Sequence, residues 1–145
     1  TEGGHINADL IIFMPGLTGP AWIANTGLPK SAGGFIKADK FCRVEGFTHT
    51  YVAGDAGSFP GPDWLPKQAH MADLQAKAAA ENLVAGLAGK EPEKTPKTEL
   101  ICIVDTLDKG MFVYRNQNRS VVLPTSRMFH WSKRAFERRY LRAYQ

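Results

Sequence analysis

FTHTYVAGDAG, Phe47 to Gly57, read with Pro66-Lys67-Gln68-Ala69 just beyond it, is the stretch that decides the fold. Thr50 to Ala53 is β-branched and aromatic, which predicts a buried strand, and it stops at Gly54-Asp55-Ala56-Gly57. A carboxylate therefore stands at a strand end. In open α/β sheets ligands collect at strand ends beside helix N-termini, where an aspartate accepts hydrogen bonds from hydroxyls and small neighbours permit close approach. The tetrapeptide alone fits an ordinary turn equally well.

The helix expected next opens at Pro66, where a missing N–H costs nothing. Ala69, Ala72, Ala76, Ala79, Ala80, Leu83 and Leu87 recur at three and four, predicting a narrow small-residue stripe that packs on a sheet and ends at Gly86 to Gly89. Its first N–H groups, at Lys67, Gln68 and Ala69, are placed to face an electron-rich ligand edge. On residue type alone a first-turn lysine such as Lys67 is a solvated side chain.

Upstream, Asp9 to Phe13 (DLIIF) reads as a buried strand of a parallel sheet closed by Pro15-Gly16, and Trp22 to Thr26 as one helical turn. Phe35 to Lys37 and Phe41 to Val44 are short strands or a ribbon leading into the Thr50 strand, with Cys42 a small buried hydrophobe. Ser58 to Leu65 has the prolines, glycine and aromatics of a loop that packs its rings.

Downstream, Lys90 to Lys97 alternates charge with proline, the pattern of an exposed linker. Leu100 to Val104, Met111 to Tyr114 after a Lys109-Gly110 turn, and Ser120 to Leu123 then form an antiparallel meander. Cys102 lies in its first strand and, by residue type, is a core cysteine. In Ser126 to Gln145, Phe129, Phe136, Tyr140, Ala143 and Tyr144 gather on one helical face, with Arg134, Arg138 and Arg142 opposite. Lys133 falls on the aromatic side and has to snorkel. Such a helix suits either an anionic membrane surface or docking on its own sheet.

Composition narrows the classes. A chain of 145 residues, 43% hydrophobic and 22% charged, has the makeup of an ordinary globular domain. No apolar run reaches the roughly 18 residues of a spanning helix, and no basic-then-apolar leader opens the sequence. Two cysteines and four scattered histidines have no metal spacing, so no metal is expected. Residues 126 to 145 hold six basic side chains against one acidic, more than the whole net charge of +4, so the basicity belongs to the tail and no nucleic-acid footprint is expected.

The run GFIKADKFCRVEGFTHTYVAGDAG followed by the Pro-Lys-Gln-Ala segment resembles the second flavin-binding segment of the two-dinucleotide-binding-domain flavoproteins, the pyridine nucleotide-disulfide oxidoreductase superfamily. Within it the sequence is most similar to sulfide:quinone oxidoreductase, with type II NADH dehydrogenase and the flavoprotein subunit of flavocytochrome c sulfide dehydrogenase close by. The resemblance implies an α/β fold: the C-terminal portion of a Rossmann-like FAD/NAD(P)-binding flavoprotein, with a small antiparallel sheet and a terminal amphipathic helix. Residues 1–90 would end the second dinucleotide-binding domain and complete the FAD domain, and 91–145 would form the small sheet and a membrane and quinone-site helix. The chain lacks an initial methionine and a G-x-G-x-x-G after a strand, so it reads as a fragment of a longer flavoprotein that binds FAD weakly or not at all alone.

The same resemblance assigns roles. Gly54, Asp55, Lys67, Gln68 and Ala69 would hold FAD, with Met14-Pro15-Gly16 near it. Cys102 would be one redox-active cysteine of a sulfide oxidiser, its partner lying in another segment, and Lys67 would stabilise charge at the flavin and quinone. Ile101 and Phe136 would wall the quinone, with residues 126–145 making a peripheral membrane contact. The substrates implied are sulfide and membrane quinone. One alternative is a type II NADH:quinone oxidoreductase in which Cys102 only packs. Another, of a different class, is a non-catalytic module that binds membrane or self-associates as a homo-oligomer.

Overall fold

The computed structural model describes Gly3, Gly4 and residues 7–142. The chain is mixed α/β: α1 (Ala21–Ala24), β1 (Ile36–Lys37), β2 (Gly57–Ser58), α2 (Ala69–Leu87), β3 (Glu99–Thr106), β4 (Lys109–Asn116), β5 (Ser120–Val122) and α3 (Arg127–Arg142). Its apolar core lies in the first half, where Ile23, Ile36, Ala38, Val44 and Val52 pack together with Leu28, Ala56 and Phe59 against them.

The Thr50 to Ala53 segment is extended and buries Val52, but it does not form the expected strand. Val44 N donates to Thr50 O at 2.8 Å and Val52 N to Cys42 O at 3.0 Å, giving a single bridge between Arg43 and Tyr51. The ladder stops because Gly54, at φ +69°, turns the chain into a 3₁₀ turn, Gly54–Ala56. β2 then pairs parallel with β1, Ile36 opposite Gly57 and Lys37 opposite Ser58. Phe41 to Val44 is likewise reduced to bridges, and Cys42 is fully buried as expected.

Two upstream expectations fare differently. α1 falls where the single helical turn was expected, whereas Asp9 to Phe13 is not a strand. Leu10 and Phe13 are 76% and 84% exposed, and a buried parallel strand needs neighbours to take its N–H and C=O groups. No strand lies alongside it among the described residues.

α2 begins at Ala69, not Pro66. The Lys67 side chain folds back onto the preceding turn, and Gln68 is still extended at φ −152°, ψ 158°. The N–H groups freed by the helix start are therefore those of Ala69, His70 and Met71, with Ala72 N the first to bond within the helix, to Gln68 O. The buried face overlaps the expected alanine stripe only at Ala79. It consists of Met71, Gln75, Ala78, Ala79 and Asn82, while Ala69, Ala76 and Ala80 are exposed. Two polar side chains on that face tie α2 to loops.

Residues 90–97 form the expected irregular, mostly exposed linker, which is tied to α2 by Asn82. Its Nδ2 donates to Phe41 O (3.0 Å) and Lys94 O (2.7 Å), and its Oδ1 accepts from Glu93 N (3.1 Å) and Lys94 N (2.9 Å). The amide is thus fully satisfied at zero exposure.

The meander forms in the order β3-β4-β5, antiparallel throughout, with β3 and β4 longer than expected and β5 one residue shorter. Its first turn is Leu107-Asp108, not Lys109-Gly110, and Leu107 takes φ 55° there. Gly110 instead lies within β4, where a Cβ would sit 3.0 Å from His130 N and 3.1 Å from Phe129 C. That glycine lets α3 approach the strand.

α3 docks by its first half. Phe129 stacks on Phe112 at 5.8 Å, and His130 Nδ1 lies 2.8 Å from Asp105 Oδ1. Its second half presents Phe136 and Leu141 at 65% and 60% exposure, with Phe136 stacked on Tyr140 at 5.8 Å. Lys133 is half-buried, 3.9 Å from Glu137. Ala143 and Tyr144, assigned to the aromatic face, lie outside the described residues.

Candidate functional site

Beyond the end of the Tyr51 segment, the 3₁₀ turn, the loop before α2 and the first turns of α2 enclose a cavity of about 260 Å³. Gly54, Asp55, Lys67 and Gln68 line it, together with Phe35, Met71 and Gln75. Of the residues assigned to the cofactor from sequence, Ala69 is absent from the lining and exposed, because the helix starts one turn later than expected.

Lys67 is the strut of this cavity. Its Nζ donates to Asp55 O at 3.1 Å and Gly57 O at 2.6 Å, and lies 4.0 Å from the centre of the Phe35 ring. Burial lowers the Lys67 pKa, and the nearby Asp55 carboxylate, itself exposed, opposes that shift. Gln75 fixes the opposite side, its Oε1 accepting from Gly54 N at 2.8 Å. The sequence offered a signal for Gln75: Met71, Gln75, Ala78 and Asn82 are spaced by four, three and four, so polar residues stand on a helical core face.

Gln68 is the unfinished element. It occupies the N-cap position of α2, yet its side chain makes no capping bond, and its Nε2 is buried with no hydrogen-bond partner. A buried amide donor left unpaired is costly, so this atom is a point of stored strain beside the cavity.

The other assigned residues lie on the C-terminal sheet. In its register Leu100, Cys102 and Val104 oppose Arg115, Val113 and Met111 and share one face. Ile101, Ile103 and Asp105 oppose Tyr114, Phe112 and Gly110 on the other, where α3 docks. Cys102 and Ile101 therefore point to opposite sides of the sheet, Cys102 half-buried and Ile101 39% exposed. Both cysteines are free thiols, and burial, with Asp39 nearby, pushes Cys42 up to about 11.

A buried carboxylate that the sequence did not single out joins the two halves. Glu99 is 5% exposed at the start of β3; its Oε1 lies 3.0 Å from His70 Nε2 in the first turn of α2, and its Oε2 pairs with Lys97. Hydrogen bonding from Lys97 holds the Glu99 carboxyl below its ordinary range, against the penalty of burial. Among the described residues no group of three or more His, Cys, Asp or Glu is placed to hold a metal.

The fold is thus an α/β unit carrying a small antiparallel sheet and a terminal helix. It is similar to the solved sulfide:quinone oxidoreductase from the hyperthermophilic bacterium Aquifex aeolicus, with a TM-score of 0.77 and 24% sequence identity over 89% of this chain. The chain spans 33% of the length of that structure. No protein-family model matches the sequence.

Proposed function

We propose that this chain is the C-terminal portion of an FAD-dependent sulfide:quinone oxidoreductase-like enzyme. Residues 1–90 complete the dinucleotide-binding domains, and residues 91–145 form the small sheet and a quinone-site and membrane-surface helix. The observation that carries this proposal is the cavity at which Gly54, Asp55, Lys67 and Gln68 meet. Likeness of fold to a sulfide:quinone oxidoreductase supports it.

The residues fit one end of a flavin. A cavity of about 260 Å³ accommodates a ring system and leaves the rest of a dinucleotide to other segments. The positive end of α2 would favour negative charge at the ring carbonyls. When bound, the flavin supplies two-electron chemistry between a thiolate and a quinone. Lys67 holds the 3₁₀ turn against the loop and keeps a positive charge at the cavity wall.

Cys102 would serve as one sulfur of the sulfide-oxidising pair, since disulfide opening by HS⁻ requires a second cysteine beside it. Cys42 is unsuited to be that partner, being fully buried with its thiol pushed up to about 11. The opposite facing of Cys102 and Ile101 supports sulfide and quinone approaching from different sides. The exposed Phe136 and Leu141, with Arg138, Arg139 and Arg142, suit an anionic lipid surface. No helix of the described residues is long and apolar enough to cross a membrane.

The test is reduction of the flavin in the full-length protein supplied with quinone. Sulfide should bleach it in the wild type and not in Cys102→Ser. Bleaching by NADH alone, unaffected by Cys102→Ser, would assign the protein to NADH oxidation instead.

A further inference from the structure

The loop between β2 and the Lys67 strut, Phe59 to Leu65, is a partition between two cavities. Phe59, Gly61 and Leu65 line the one already described and also a second, of about 330 Å³, that Lys40, Thr95 and Thr98 line as well; Met71 and Gln75 of α2 complete the wall common to both. Pro60 and Pro62 have no N–H to donate, so the partition makes little use of backbone hydrogen bonding beyond its own Leu65 N to Pro62 O turn at 2.9 Å. Phe59 roots one end in the core and Lys67 fixes the other. Between them Trp64 lies under a cation from the distant sheet: the Arg115 guanidinium carbon is 4.6 Å from its ring centre.

Arg115 belongs to β4, two residues beyond Val113, which pairs with Cys102, and on the same sheet face as that cysteine. We infer that Arg115 is a positioning residue: its hold on Trp64 sets where the partition stands, and so couples the shape of the Asp55–Lys67 cavity to the face of the sheet that carries Cys102. The partition is thereby placed by a group that touches neither cavity. The geometry stands without a ligand; only its consequence for cofactor affinity rests on the flavin proposal.

The test uses the full chain with Trp22→Phe and Trp131→Phe, both at exposed sites, so that emission reports Trp64 alone. Within the loop, prolines follow Phe59 and Leu65, which leaves the bond after Trp64 as the chymotrypsin-sensitive one. In Arg115→Ala, cleavage after residue 64 should rise by about 2- to 5-fold, the range expected for loss of a cation–π contact at an exposed site, and acrylamide quenching of Trp64 should rise with it. Arg115→Lys, which keeps a cation over the ring, should restore most of the protection. In the flavin-binding full-length protein, Arg115→Ala should weaken FAD by about the same factor.

Unchanged quenching and cleavage in Arg115→Ala would overturn the inference, as would equal loss in the Ala and Lys variants. If Arg115→Ala does not fold, Trp64→Leu, still cleavable at that position, gives the same reading through cleavage alone. Failure of wild-type protein to bind FAD sinks the flavin proposal without touching the quenching and cleavage results.

Discussion

Lys67 Nζ lies 3.1 Å from the main-chain oxygen of Asp55, so the side chain that precedes α2 closes the turn that ends the Tyr51 segment. A second bond to Gly57 O and the Phe35 ring below it make the ammonium part of the framework. Lys67→Met keeps the aliphatic stem and removes the donors. It should cost about 1–3 kcal/mol in urea unfolding, the range for losing hydrogen bonds made by a charged group. An unchanged midpoint would mean that the ammonium is merely solvated.

Asn82 joins α2 to the segment that leads into the C-terminal sheet, and all its bonds are to main chain. Asn82→Ala leaves those groups unpaired in a dry site and should cost about 3 kcal/mol in thermal or urea unfolding. Asn82→Asp should be no better, because a carboxylate would face the carbonyls of Phe41 and Lys94. Loss below about 0.5 kcal/mol, the level of ordinary surface substitutions, would show that the segment holds without this amide.

Glu99 gives the fold an acid-sensitive joint. Its folded pKa is lowered from an ordinary value of 4.5, so its contribution is fully present above that pH and is lost as pH falls through the folded value. The groups facing it are His70 and Lys97, with Tyr114 acting on Lys97. Glu99→Gln should be less stable near neutrality, and its stability should fall less steeply with acidification below about pH 5, by at most one proton of slope. Parallel stability curves for the two proteins would exclude this role.

The thiols should separate by burial. Cys42 is fully buried with its pKa pushed up to about 11, while Cys102 is half-buried on a sheet face. A maleimide at mildly alkaline pH should label about one thiol per native chain, mapping to Cys102, and both after denaturation. Native labelling of Cys42 would contradict its burial.

The meander and terminal helix were legible in the sequence because each carries its own period, although the first turn stands at Leu107-Asp108 and not at the expected Lys109-Gly110. The site was half legible. Gly54-Asp55 and Lys67-Gln68 could be named from motif, but the start of α2 could not, because a long-range bond from Lys67 to the turn overrides the helix signal of Pro66. Asp9 to Phe13 failed for the opposite reason: an apolar run declares that it wants neighbours and says nothing of whether they are present. Asn82, Glu99 and Gln75 were passed over because a buried polar group is explained by its partners, most of which lie 10 or more residues away, Lys97 beside Glu99 being the local exception.

The central claim, that the Asp55 turn and the Lys67-Gln68 segment hold a flavin ring, is tested most directly by titrating isotopically labelled chain with FMN and following its amide resonances. A weak complex suffices for this measurement. The backbone amides of Gly54, Asp55, Lys67 and Gln68 should move together and saturate together, with the residues of α3 little affected. Saturable shifts elsewhere with these amides unmoved, or no saturable shift at all, would contradict the account.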